Sequence, residues 1–123
     1  MPSEKQIVEA FEKVAADIPG YIAASLVDLE SGMTLGLKSA RPDFDLAAAS
    51  AYNSEMVKQK LKIMKALSIR TSLEDMLITM GDQIHVIKMI GATTFIYLAV
   101  DRSLSNIAIV RNVLAKHAAS FTS

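Results

Sequence analysis

Thr94-Phe95-Ile96-Tyr97-Leu98-Ala99-Val100 is the stretch on which the fold turns. Alternate side chains of a strand point to opposite faces, and here both sets are apolar: Phe95, Tyr97 and Ala99 on one, Ile96, Leu98 and Val100 on the other. A strand apolar on both faces is covered on both faces. The run Glu74 to Met80 repeats the pattern, with Met76, Ile78 and Met80 on one side and Leu77 on the other. One helix layer cannot cover two faces. Helices therefore sit on each side of the sheet, or a partner subunit does, and the spacing predicts a three-layer α+β sandwich.

Outward from that strand, Ile84 to Ile90 pairs with Glu74 to Met80 through the tight turn Gly81-Asp82-Gln83. Downstream, Ser103 or Ser105 caps a last helix with Ile107, Val110, Leu114, Ala118 and Phe121 on one stripe. Upstream, Arg41-Pro42-Asp43 breaks the chain, and Asp43 or Asp45 caps a long helix that runs to about Ser68 with no Gly or Pro inside. Before it lie two short strands, Tyr21 to Asp28 and Met33 to Lys38, around a turn in which Gly32 supplies a positive φ. Ser3 and Gln6 form a capping box for the first helix, whose stripe Ile7, Phe11, Val14 and Ile18 ends at Pro19-Gly20. The predicted order is α-β-β-α-β-β-β-α, with a mostly antiparallel five-stranded sheet in one domain over residues 1–123. Ala23, Ala24 and Gly36 are small for strand positions and mark places where something packs close.

Composition narrows the function. Thirteen Lys+Arg balance thirteen Asp+Glu, which argues against a bulk nucleic-acid binder. The absence of cysteine excludes disulfides, thiol catalysis and Cys-ligated metals. The longest uncharged run, Met89 to Val100, has 12 residues, short of the ~20 that span a bilayer, and the polar start shows no secretory signal. A soluble cytoplasmic protein without membrane insertion is expected. The five glycines form neither G-x-G-x-x-G nor a P-loop. His85 and His117 have no acidic partner at ligand spacing, and nothing in the sequence joins Ser25, His85 and Asp28 into a triad. Glu74-Asp75 and Asp43/Asp45 fit roles at element ends. These readings predict no enzyme, no cofactor and no metal.

The second helix is the informative element. Between Met56 and Leu73 there are five basic residues (Lys58, Lys60, Lys62, Lys65 and Arg70) and no acidic one. Met56, Val57, Leu61, Ile63, Met64 and Leu67 fill an arc of roughly 160° at 100° per residue. Covering a sheet takes a stripe of ~100°. The excess fits a generous buried face, or a helix with one edge on the sheet and the other on a second copy. Asn53 and Lys60 project into this arc, where a polar residue sets register in a helix pair. Lys58, Lys62 and Lys65 share a polar sector suited to an acidic partner.

This succession of elements resembles the roadblock/LC7 family, related to the longin and profilin-like folds. The residues that carry the resemblance are the first helix ending in Ile18-Pro19-Gly20, the small-residue strand Ile22 to Asp28, the turn with Gly32, the long Ala-rich helix, the apolar hairpin, the strand Phe95 to Val100 and the final amphipathic helix. The resemblance implies a non-catalytic dimer, joined by sheet edges and paired second helices, that serves a small Ras-like GTPase or a motor-associated complex. It places Asn53, Met56, Val57, Lys60, Leu61, Met64, Met76, Ile78 and Met80 at the dimer interface. Lys58, Lys62 and Lys65 then form a partner-facing strip. Homodimer and heterodimer with a paralogue both fit. The alternative is a PAS- or profilin-like sensory module, holding a small ligand near Ala23, Ala24 and Gly36.

Overall fold

Ser3 Oγ accepts from the Gln6 amide at 3.1 Å while Gln6 Oε1 accepts from the Ser3 amide at 2.8 Å, so the expected capping box opens α1 (Glu4–Asp17). The computed structural model describes residues 2–122. After α1 come β1 (Tyr21–Asp28), β2 (Thr34–Ser39), α2 (Leu46–Ala66), β3 (Asp75–Thr79), β4 (Gln83–Met89), β5 (Thr94–Asp101) and α3 (Ile107–His117). A 3-10 turn, Ala118–Phe121, follows α3. The strands form one antiparallel sheet in the order β2-β1-β5-β4-β3, so the hairpins β1–β2 and β3–β4 flank the central β5.

Residues 94–100 of β5 are all buried, as a strand apolar on both faces requires. Ile96, Leu98 and Val100 join Ile7, Phe11, Val14, Val110 and Leu114 in a core beneath α1 and α3. Phe95, Tyr97 and Ala99 join Leu46, Val57 and Ile87 in a second core beneath α2. The three-layer α+β expectation holds.

Two glycines show why the chain can close this tightly. Gly32 has φ +75°, a left-handed turn that glycine adopts without a Cβ penalty. A Cβ on Gly36 would lie 2.5 Å from Ile7 Cγ2, so the bare backbone of β2 is what lets α1 seat itself.

Some boundaries differ from expectation. The N-cap of α3 is Asn106, whose Oδ1 accepts from the Ile109 amide at 3.0 Å. Ser103 is instead taken by the end of β5, donating its amide and hydroxyl to Asp101 Oδ1 at 2.8 and 2.6 Å. The last stripe tightens into the 3-10 turn after His117, yet still brings Phe121 to 4.6 Å from Phe11, centroid to centroid. Met33 precedes β2 and is 68% exposed.

Candidate interaction surface

Asp45 caps α2, accepting from the Ala48 amide at 3.0 Å, and a left-handed Ser68 (φ 56°) ends it. The Ile69 amide reaches Met64 O and the Ser68 amide reaches Lys65 O, the paired bonds of a Schellman closure. Between these ends α2 buries Leu46, Ser50, Ser54, Val57 and Met64. Ser50 and Ser54 are the residues that the apolar arc missed. Ser50 Oγ lies 2.8 Å from Ser25 Oγ, and Ser54 Oγ donates to Leu29 O at 2.7 Å. Their spacing of four from Leu46 was the available signal.

The helix has two unlike flanks. On one, Lys58 Nζ donates to Glu30 O at 2.8 Å and closes the helix onto the β1–β2 turn. The opposite flank carries one edge of the apolar arc. There Met56 is only partly buried, and Tyr52 (77%), Leu67 (67%) and Ile63 (39%) are exposed, while Leu61 at the other edge of the arc is partly buried on the Lys58 side. Val57 and Met64 face their own sheet, with 0% and 8% exposure. Asn53 donates to Ala49 O within its own helix at 2.7 Å, and Lys60 is exposed.

The two sheet edges are also unlike. β2 carries an irregularity opposite Leu26/Val27 and an exposed Lys38, both of which discourage strand addition. β3 has neither. It keeps a regular register with β4 from Asp75 to Thr79, and its middle is Met76-Leu77-Ile78, each half-buried. Met76 packs on the α2 side and Leu77 on the α1–α3 side. Asp75 anchors its start by a bidentate pair with Arg111 Nε and Nη2, both at 3.1 Å. The sequence places Asp75 only at an element end; the fold supplies Arg111 from 36 residues away. An unprotected edge and an uncovered helix flank thus both border the apolar cluster beneath α2, through Met76 and Met56.

Three solved structures share this architecture along nearly the whole chain. MglB from Myxococcus xanthus has TM-score 0.86 at 13% identity, covering 96% of this chain and 86% of its own. A gliding protein MglB from Thermus thermophilus has TM-score 0.82 at 15% identity, covering 95% and 86%. A roadblock/LC7 domain from Streptomyces avermitilis has TM-score 0.80 at 12% identity, covering 92% of each chain. The chain has the roadblock/LC7 fold. No protein-family model and no curated protein matches the sequence.

Within this roadblock fold the small strand residues serve packing. Ala23 and Ala24 are fully buried between the helix layers, and Ile7 fills the space over Gly36. The ligand space that they suggested for a PAS- or profilin-like module is occupied by the chain itself. The basic strip is split: Lys62 and Lys65 are exposed, whereas Lys58 is held by Glu30 O and by Glu55 at 3.4 Å. Among the described residues Lys60, Lys62, Lys65 and Arg70 have no carboxylate within 4.0 Å.

Folding also gives both histidines partners that the sequence hid. His117 Nε2 meets Asp17 Oδ2 at 2.8 Å, joined there by Lys116 Nζ at 3.2 Å. The hydrogen bonds from His117 and Lys116 hold the Asp17 carboxyl below its usual range. With its proton on Nε2, His85 donates to Gln83 Oε1 at 2.7 Å and accepts at Nδ1 from the Tyr97 hydroxyl at 3.1 Å. Burial lowers the His85 pKa, with Asp82 opposing, and pushes Tyr97 up to about 12. Ser25 and Asp28 bond elsewhere, to Ser50 and Ser31, so no triad assembles with His85. Among the described residues no three His, Cys, Asp or Glu side chains gather as a metal site, and no helix is long and apolar enough to cross a membrane.

Proposed function

We propose that this chain is a non-catalytic scaffold that pairs with itself through α2 and the β3 edge, and that the dimer binds and modulates a small Ras-like GTPase or a motor-associated complex. The observation that carries the reading is that the uncovered flank of α2 and the unguarded edge of β3 border one apolar cluster, through Met56 and Met76. Pairing β3 with its symmetry mate continues the sheet and removes an open ladder. The same approach covers Ile63 and Leu67, which the chain leaves exposed, and the open part of Met56. The shared fold with MglB, in one case a gliding protein, supports a motor-associated setting.

The partner-facing part of the reading rests on Lys62 and Lys65, exposed and unpaired on the Lys58 side of α2, away from the proposed seam. Unpaired surface charge raises encounter rates with an acidic surface more than it adds affinity. Sedimentation of the purified chain at micromolar concentration tests self-association, and a monomer at all concentrations defeats it. Ile78→Pro removes a ladder donor from β3 and should weaken association in a chain that stays folded. The partner is tested by association rates with small GTPases of the source organism at low and high salt. Rates that ignore both salt and Lys62→Glu/Lys65→Glu would remove the electrostatic role.

A further inference from the structure

Met56, Met76 and Met89 come from α2, β3 and β4 yet pack, each partly exposed, against the same apolar cluster beneath α2. Met76 stands opposite Ile87 in the ladder, so Met89, two residues along β4, is its diagonal neighbour. Met80, 36% exposed, extends the Met76–Ile78 side. Three thioethers, from three different elements, therefore line the border of this cluster. Met33, 68% exposed on the β1–β2 turn, lies apart from it, and Met64 is shielded at 8%.

We propose that this lining is an oxidation site that controls self-association: hydroperoxides convert Met56, Met76 and Met89 of the free chain to sulfoxides, and the oxidised face no longer accepts a second copy. The inference rests on the scaffold reading above. In the step, a thioether lone pair attacks the terminal peroxide oxygen, an S–O bond forms as the O–O bond breaks, and that oxygen's proton passes to the departing oxygen, which leaves as water from hydrogen peroxide or as an alcohol from an organic hydroperoxide. Sulfur loses two electrons and the peroxide gains them. On the free chain each new sulfoxide oxygen stays hydrated, so the fold tolerates it. In the seam it would lose water among Ile63, Leu67 and Ile78, which offer no side-chain donor. Association shields the sulfurs, and oxidation blocks association. The two processes compete for the same free chain.

The test treats the full-length chain with hydrogen peroxide at a dilution that populates monomer, maps oxidised peptides by mass and measures the dissociation constant by sedimentation. Sulfoxide at Met56, Met76 and Met89 should raise that constant by at least about tenfold. Circular dichroism should stay unchanged, and methionine sulfoxide reductases should restore association. Met33→Leu should leave the response intact, while Met56→Leu/Met76→Leu/Met89→Leu, whatever its own affinity, should show the same dissociation constant before and after peroxide. Unchanged association with all three sulfurs oxidised overturns the inference, as does an equal response in the triple variant. An untreated chain that never associates defeats the scaffold reading itself and the inference with it.

Discussion

Ser25 Oγ of β1 and Ser50 Oγ of α2 lie 2.8 Å apart, and both residues are fully buried. A hydroxyl pair sealed between helix and sheet is stable only while each group satisfies the other. Ser50→Ala therefore strands the Ser25 hydroxyl and should cost about 1–3 kcal/mol. Ser25→Ala/Ser50→Ala should recover much of that loss, since no unpaired group remains. Urea unfolding of the two single variants and the double variant measures the coupling, and simple additivity would show that the pair is incidental.

The closeness of α1 to β2 has a similar signature. Gly36→Ala places a methyl against Ile7 and should cost about 1–3 kcal/mol by overpacking. In an Ile7→Ala background the same substitution should cost less, because Cγ2, the nearest atom that the methyl meets, at 2.5 Å, is gone, while Cβ at 2.8 Å remains and need only shift with the freed helix. A double-mutant cycle from denaturant melts decides it.

Opposite flanks of α2 should respond differently. Val57, fully buried in its own core, should lose about 2 kcal/mol of folding stability as Val57→Ala. Leu67→Glu, on the exposed flank, should leave the denaturation midpoint of the dilute chain nearly unchanged while abolishing self-association. A Leu67→Glu chain that still pairs with unchanged affinity would place the seam elsewhere.

Acid should weaken the fold through His85. Its folded pKa lies below the unfolded value of 6.5, so the folded state binds fewer protons there. The stabilisation from the neutral ring is complete above 6.5 and is lost as pH falls toward the folded pKa. The geometry agrees, because a proton on Nδ1 would force the buried Tyr97 hydroxyl to accept and leave its own hydrogen unpartnered. Melting temperature should therefore drop less steeply from about pH 7 to about pH 5 in His85→Gln than in the native chain. Parallel slopes would show that other groups dominate.

Lysines of the one helix should differ by partner. Lys58→Glu breaks a bond to Glu30 O and sets a carboxylate beside Glu55, so its thermal stability should fall measurably. Lys62→Glu and Lys65→Glu should each shift stability by well under ~1 kcal/mol. Calorimetry of the three single variants checks the ranking.

Local chemistry settled the element order, because each element carries its own period and its own stop. The capping box at Ser3, the turn at Gly32, the uninterrupted run of α2 and the two-faced β5 act within a few residues, and they are readable in order along the chain. The three layers followed from β5 alone. What tertiary structure decided was which partner each side chain meets. Period places Val57 and Leu67 on one arc of α2, yet Val57 lies beneath the helix and Leu67 outside it, since the position of the sheet divides the arc. Lys58 reads like Lys62 until the β1–β2 turn offers it a carbonyl, and His117 reads as unpartnered until α1 brings Asp17 from 100 residues away. Sequence fixes which surfaces are apolar or charged through short-range order. The pairing of those surfaces depends on long-range contacts, and these exist only after the chain has closed on itself.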